Sequence, residues 1–78
     1  MQVPASSVFT RPDLSLRERV VLTAIARGDS TDEVAGALGI SPHTVRTYVK
    51  SSRRKLGART RAHAVAIALA AGLIDPDP

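Results

Sequence analysis

The sequence predicts an all-α fold of four helices built around a helix-turn-helix pair, on three observations. Between Thr31 and Lys50, taken as twenty positions, the fifth is Ala35, the ninth Gly39 and the fifteenth Val45, with Val34, Leu38 and Ile40 apolar between them. Two helices crossing at about 90–120° through a short turn need that pattern. A small residue lets them approach, a glycine can turn left-handed where the chain reverses, and an apolar residue seats the second helix on the first. Secondly, Ser15 with Glu18 and Ser30 with Glu33 both have capping-box spacing, in which each side chain satisfies an amide that a first helical turn leaves unpaired. Thirdly, apolar residues recur at helical spacing, as in Val45, Val49 and Leu56.

The elements follow in chain order. Residues 1–13 hold Pro4, Ser6, Ser7 and Pro12 without sustained apolar periodicity and read as a tail or linker, with Phe9 available to dock on the domain. A first helix is expected from about Leu16 to Arg27, its apolar face formed by Val21, Leu22 and Ile25 and its end marked by Gly28. It serves as scaffold beneath the helix-turn-helix pair. The second helix starts at Thr31 and stops at Gly39; Gly36 inside it costs about 1 kcal/mol relative to alanine and is read as close packing or local softness. Ser41 caps the third helix. Pro42 suits its first position because that amide would be orphaned anyway, and Gly57 stops it after Leu56.

The last helix is expected from Thr60 to about Ala71, before Gly72. Val65 and Leu69 fall on one side of it, and Ala64, Ile67 and Ala71 on nearly the opposite side, so one core contact cannot bury both. A symmetric dimer covering Ala64, Ile67 and Ala71 is the expectation, against the plainer reading that alanine favours helix and tolerates water. The domain is drawn as 14–74, with 75–78 as a C-terminal tail.

Charge is polarised along the chain. The 78 residues contain 11 Lys and Arg against 7 Asp and Glu, a net +4. Seven of those bases, Arg46, Lys50, Arg53, Arg54, Lys55, Arg59 and Arg61, lie between Val34 and Ile74, where no acid occurs. On the third helix Val45, Val49, Ser52 and Leu56 make one stripe, flanked by Tyr48, while His43, Arg46, Lys50, Arg53 and Arg54 gather opposite. A basic helix face is often only solvated surface, and a helix-turn-helix pair can be purely structural. Their coincidence on one capped helix points to double-stranded DNA, read in the major groove.

Other chemistry finds little support. There is no cysteine, so neither a disulfide framework nor a thiolate metal site is available. His43 and His63 are isolated in sequence from acidic ligands and read as surface or DNA-facing groups. No metal, cofactor or catalytic residue is expected, because no nucleophile and base pair is identifiable. Phe9 and Tyr48 are the only aromatics, too few to stack single-stranded bases. The longest mostly apolar run, Ala62 to Ile74, is too short to span a bilayer, and no secretory signal is evident, so a soluble, cytoplasmic protein without a membrane partner is expected.

Leu14-Ser15-Leu16-Arg17-Glu18, Gly28, Glu33-Val34-Ala35, Leu38-Gly39-Ile40-Ser41, Thr44-Val45-Arg46, Lys55-Leu56-Gly57 and Arg59-Thr60-Arg61-Ala62 together resemble the LuxR-type DNA-binding domain, over about Leu14 to Ile74. The resemblance implies a four-helix domain of bacterial transcription regulators, often the output domain of response regulators or quorum-sensing receptors and sometimes a stand-alone protein; Met1 does not decide between these. It implies a third helix that reads the major groove and a fourth that supports dimerisation. Partners would be double-stranded DNA, a second copy of the chain, and RNA polymerase.

Arg46, Thr47 and Lys50 match the family's base-facing positions. Arg46 and Lys50, one helical turn apart, can reach guanine O6 and N7, and Thr47 can touch a thymine methyl or donate a hydrogen bond. Thr44, Arg54, Lys55, Arg59 and Arg61, with backbone amides at the start of the third helix, are the phosphate candidates. Lys55 has a second reading, as a cation complementing the helix end. The chain departs from the family at Ser52 and Arg53, where apolar residues usually seat the third helix. Ser52 can bond back one turn, and Arg53 extends the cationic face. Tyr48 stands where histidine is frequent, its ring able to pack and its hydroxyl to reach a phosphate. Two other readings share features with this one: a sigma-factor-like promoter-binding domain, which commonly lacks the fourth helix, and an interaction module that antagonises a related regulator.

Overall fold

The computed structural model describes residues 13–77. Its elements are α1 (Leu16–Ala26), α2 (Thr31–Leu38), α3 (Pro42–Leu56) and α4 (Arg61–Ala70), with no strand among the described residues. The expectation for Phe9 and most of the N-terminal tail falls outside them.

Local chemistry sets the boundaries. Both capping boxes form, with Ser15 Oγ accepting from the Glu18 amide and Ser30 Oγ from the Glu33 amide, each at 3.1 Å. Ser41 caps α3, and Pro42 follows at its first position. Gly39 and Gly57 end α2 and α3 at φ of 68° and 66°, a left-handed conformation that a Cβ would strain. Thr60 and Ala71 prove to be the caps of α4 rather than its first and last turns, and Arg27 caps α1.

Two apolar clusters share α1 and α3. Val21, Val34, Ala35, Val45 and Val49 join α1, α2 and α3, and Leu14, Leu22, Leu56, Ala64, Ala68, Leu73 and Ile74 join α1, α3 and α4. Val21 and Leu22 are neighbours in sequence, about 100° apart around α1, so one helix serves both clusters. Ser52 is completely buried on the same side of α3, where its Oγ donates to the Tyr48 carbonyl at 2.8 Å; the hydroxyl that departs from the apolar pattern therefore carries no unsatisfied donor into the core.

The expectation of Ala64 as a dimer contact is corrected by this packing, since it is completely buried within the chain. Ile67 and Ala71, like Val65, are half-buried and pack against the same core. The open side of α4 carries Leu69, 42% exposed, beside exposed Ala62, Ala66 and Ala70. The physical reason is distance. Alanines at 64 and 68 let α4 approach closely enough for Leu14, Leu22 and Leu56 to fill the space above them, and the chain then reverses so that Leu73 and Ile74 complete the core. The Leu73 amide donating to the Ala68 carbonyl at 2.8 Å fixes that reversal. Small residues mark the close contact, so side-chain size misassigns the faces.

Gly36 is also corrected in part. It is exposed, and a Cβ there would meet nothing within 4 Å, so close packing does not explain it. The C-terminal segment is tied to the domain: the Pro76 carbonyl accepts from Arg27 Nε at 3.1 Å.

Candidate nucleic-acid interface

The amphipathic pattern of α3 decides what it presents. Val45, Val49, Ser52 and Leu56 are buried, whereas His43, Arg46, Thr47, Lys50 and Arg54 are exposed. Arg46, Lys50 and Arg54 have no side-chain partner among the described residues, and the one ion pair there is made elsewhere. Exposed cations on a rigid helix without competing carboxylates keep their hydrogen-bond donors available to an anion. Thr47 Oγ1 donates to the His43 carbonyl at 3.1 Å, which leaves its oxygen as an acceptor and its methyl for apolar contact.

The remaining candidates are placed around this face. Thr44 is half-buried and shares a 2.9 Å hydrogen bond with Ser41 Oγ, and its amide is taken by the same cap. Pro42 lacks an amide hydrogen and the Val45 amide reaches the Ser41 carbonyl, so His43 supplies the one free amide of that turn among the described residues. Arg59 is exposed with its guanidinium unpaired among the described residues, while its amide donates to His63 Nδ1 at 3.0 Å. That bond fixes His63 as part of the α4 start, with Nδ1 as the acceptor. Arg61 is half-buried and reaches α2, donating from Nη1 to Thr31 Oγ1 at 2.9 Å. Tyr48 is half-buried against the Val21–Val49 cluster.

Lys55 is corrected from a free helix-end cation. Its Nζ lies 2.8 Å from Glu18 Oε1 and 3.3 Å from the Asp13 carbonyl, so its charge is paired within the domain. Glu18 is the functional residue that sequence reasoning missed, having been assigned only to its cap. It is 3% exposed; Oε1 also accepts the Ser15 amide at 2.7 Å, and Oε2 accepts Ser51 Oγ at 2.5 Å. Burial by itself pushes this carboxyl up, but hydrogen bonds from Lys55, Ser51 and the Ser15 amide, with the charge of Lys55, outweigh it and hold the pKa at about 2. Ser51 and Lys55 are one turn apart on a single flank of α3, so Glu18 ties that flank to α1. Their i, i+4 spacing beside an acid-free run was the available signal.

A groove of about 300 Å³ opens beside this face, lined by Arg46, Val49, Lys50, Arg53 and Arg61. Arg53 Nη2 donates to the Arg59 carbonyl at 2.7 Å, which ties the end of α3 to the loop before α4. No group of three or more His, Cys, Asp or Glu that could hold a metal ion occurs among the described residues. Nor is any helix there long and apolar enough to cross a membrane.

A capped helix-turn-helix pair, a cationic outer face on its second helix and two supporting helices define a DNA-binding domain of transcription regulators. The family is shown directly: residues 12–68 match the model of bacterial regulatory proteins of the luxR family, and the chain belongs to that family. It is 47% identical over 64 residues to the probable transcriptional regulatory protein NarL of Mycobacterium tuberculosis, covering 82% of this chain and 30% of that protein. It is 48% identical over 52 residues to the HTH-type transcriptional activator RamA of Corynebacterium glutamicum, covering 67% of this chain and 18% of that one. The solved structure of the transcription factor GerE superposes with a TM-score of 0.78 at 33% identity, covering 82% of this chain and 96% of that chain. The chain thus spans less than a third of the two curated relatives and nearly all of GerE.

Proposed function

We propose that this domain reads double-stranded DNA by placing α3 in the major groove, with Arg46, Thr47 and Lys50 against base edges. The observation that carries this is the exposed state of Arg46 and Lys50, unpaired among the described residues, on a helix seated by its buried stripe and tied to α1 through Glu18. Thr44, Arg54, Arg59 and Arg61, with the His43 amide, would contact phosphates and set the docking register without naming a sequence. Similarity to the regulators NarL and RamA supports control of transcription as the output, and the reading assigns no chemistry to the domain itself. On the same reading, the cytoplasm is the proposed compartment and RNA polymerase a proposed partner.

Dimerisation is part of the proposal, through the side of α4 that the core leaves open. Ala62, Ala66 and Leu69 share that side, with half-buried Val65 at its edge. Its small side chains fit a modest contact that two copies complete when bound to half-sites ~34 Å apart.

Selection of bound duplexes from a random pool, followed by anisotropy titrations, tests the reading. An enriched inverted repeat is expected, with Arg46→Ala and Lys50→Ala flattening the preference at particular base pairs by about 1–3 kcal/mol each. Equal affinity for selected and scrambled duplexes would refute it.

A further inference from the structure

We infer that the groove between α3 and the start of α4 is a phosphate site in which Arg53 and Arg61 clamp one oxyanion. Four of its five lining residues, Arg46, Lys50, Arg53 and Arg61, are cations, and no carboxylate lines it among the described residues. Like charges gathered around one groove repel unless an anion lies among them. The second observation is independent of charge. Arg53 Nε is buried with no hydrogen-bond acceptor among the described residues, although the same guanidinium is held by the Arg59 carbonyl at 2.7 Å. A buried donor left unmade is a cost that an oxygen acceptor removes.

Both guanidiniums are already oriented. Arg53 is fixed through Nη2 to the loop before α4, and Arg61 through Nη1 to Thr31 at the start of α2. Each retains further N–H donors in a planar fork, the arrangement that matches phosphate oxygens. A second clause rests on the proposed DNA reading: because Arg46 and Lys50 line the same groove, the oxyanion on a duplex is a backbone phosphate next to the bases those residues read.

Arginine Nε–H signals of the ¹⁵N-labelled wild-type chain, titrated with inorganic phosphate and separately with a selected duplex, test the site without a mutation. Shifts of the Arg53 and Arg61 signals in both titrations are expected, with phosphate competing against the duplex. On duplexes, Arg53→Gln should weaken selected and scrambled sequences by the same factor and reduce the salt slope by about 0.9, with Arg53→Lys giving a smaller loss. Should the Arg46 signal move with duplex while those of Arg53 and Arg61 stay still in both titrations, the clamp is overturned and the DNA reading survives. Should phosphate shift Arg53 and Arg61 while no duplex binds, the site stands as one for a free phosphate ligand and the DNA reading falls. Circular dichroism of the variants separates lost contact from lost fold.

Discussion

Lys55 Nζ donates to Glu18 Oε1 across 2.8 Å, and the same carboxylate takes Ser51 Oγ at 2.5 Å through its other oxygen. A residue that begins as the third position of the α1 cap thereby also ties one flank of α3 to α1, next to the face that carries Arg46 and Lys50. Glu18→Gln keeps the shape but removes the charge, and should lower stability by about 2 kcal/mol, since Lys55 is partly exposed and its loss is screened. Because Arg46 and Lys50 lie on that neighbouring face, affinity for a selected duplex should fall beyond what unfolding explains. Denaturant midpoints and duplex titrations measured together check this, and a variant with unchanged binding would show that the anchor does not aim the helix.

Acid should release the same anchor. The Glu18 carboxyl is held at about 2 in the folded chain against an ordinary value of 4.5, so its contribution is fully present above pH ~4.5 and is lost as pH falls from there toward 2. Urea midpoints across that range should decline by an amount worth about 2 kcal/mol, and the decline should shrink in Glu18→Gln.

The exposed Gly36 offers a gain. A Cβ there meets nothing within 4 Å and φ is not in the left-handed region, so Gly36→Ala should stabilise the domain by about 0.5–1 kcal/mol through helix propensity and a less flexible unfolded chain. Thermal unfolding should show a rise of a few degrees. An unchanged or lower midpoint would mean that α2 draws on something other than its local helix energetics.

The two sides of α4 should respond oppositely. Ala68→Leu forces extra volume into a completely buried position and should cost about 1–3 kcal/mol. Leu69→Glu, on the open side, should leave monomer stability within roughly 0.5 kcal/mol and weaken self-association. Chemical denaturation combined with sedimentation of the protein on a two-half-site duplex distinguishes the faces.

Phosphate and base contacts should separate by their salt dependence. Arg54→Ala and Arg59→Ala should each weaken selected and scrambled duplexes alike and reduce the salt slope by about 0.9, whereas Lys55→Ala should act mainly on stability through Glu18. Parallel titrations at several salt concentrations with these three variants make the comparison.

Most of the fold was legible because its signals are local. Ser15, Ser30 and Ser41 cap the helices that their spacing announces, and Gly39 and Gly57 turn left-handed where the apolar pattern breaks. The outward face of α3 followed from the same periodicity, since an apolar stripe at Val45, Val49 and Leu56 leaves one side for the cations. Less legible were the positions whose role depends on a neighbour distant in sequence. Lys55 looked like a free helix-end cation until α1 brought Glu18 against it, and Ala64 looked like a dimer contact until Leu14, Leu22 and Leu56 closed over it.

Sequence by itself determined where each helix begins, where α2 and α3 turn, and which side of α3 carries charge, because caps, glycines and 3.6-residue periodicity act over a few neighbouring residues. Only the tertiary structure decided which side of α4 is inside, which lysine is spoken for, and that Arg53 and Arg61 share a groove. Those outcomes depend on distances between residues from 8 to 60 positions apart, set by how closely small side chains let helices approach and by which buried charge finds its partner.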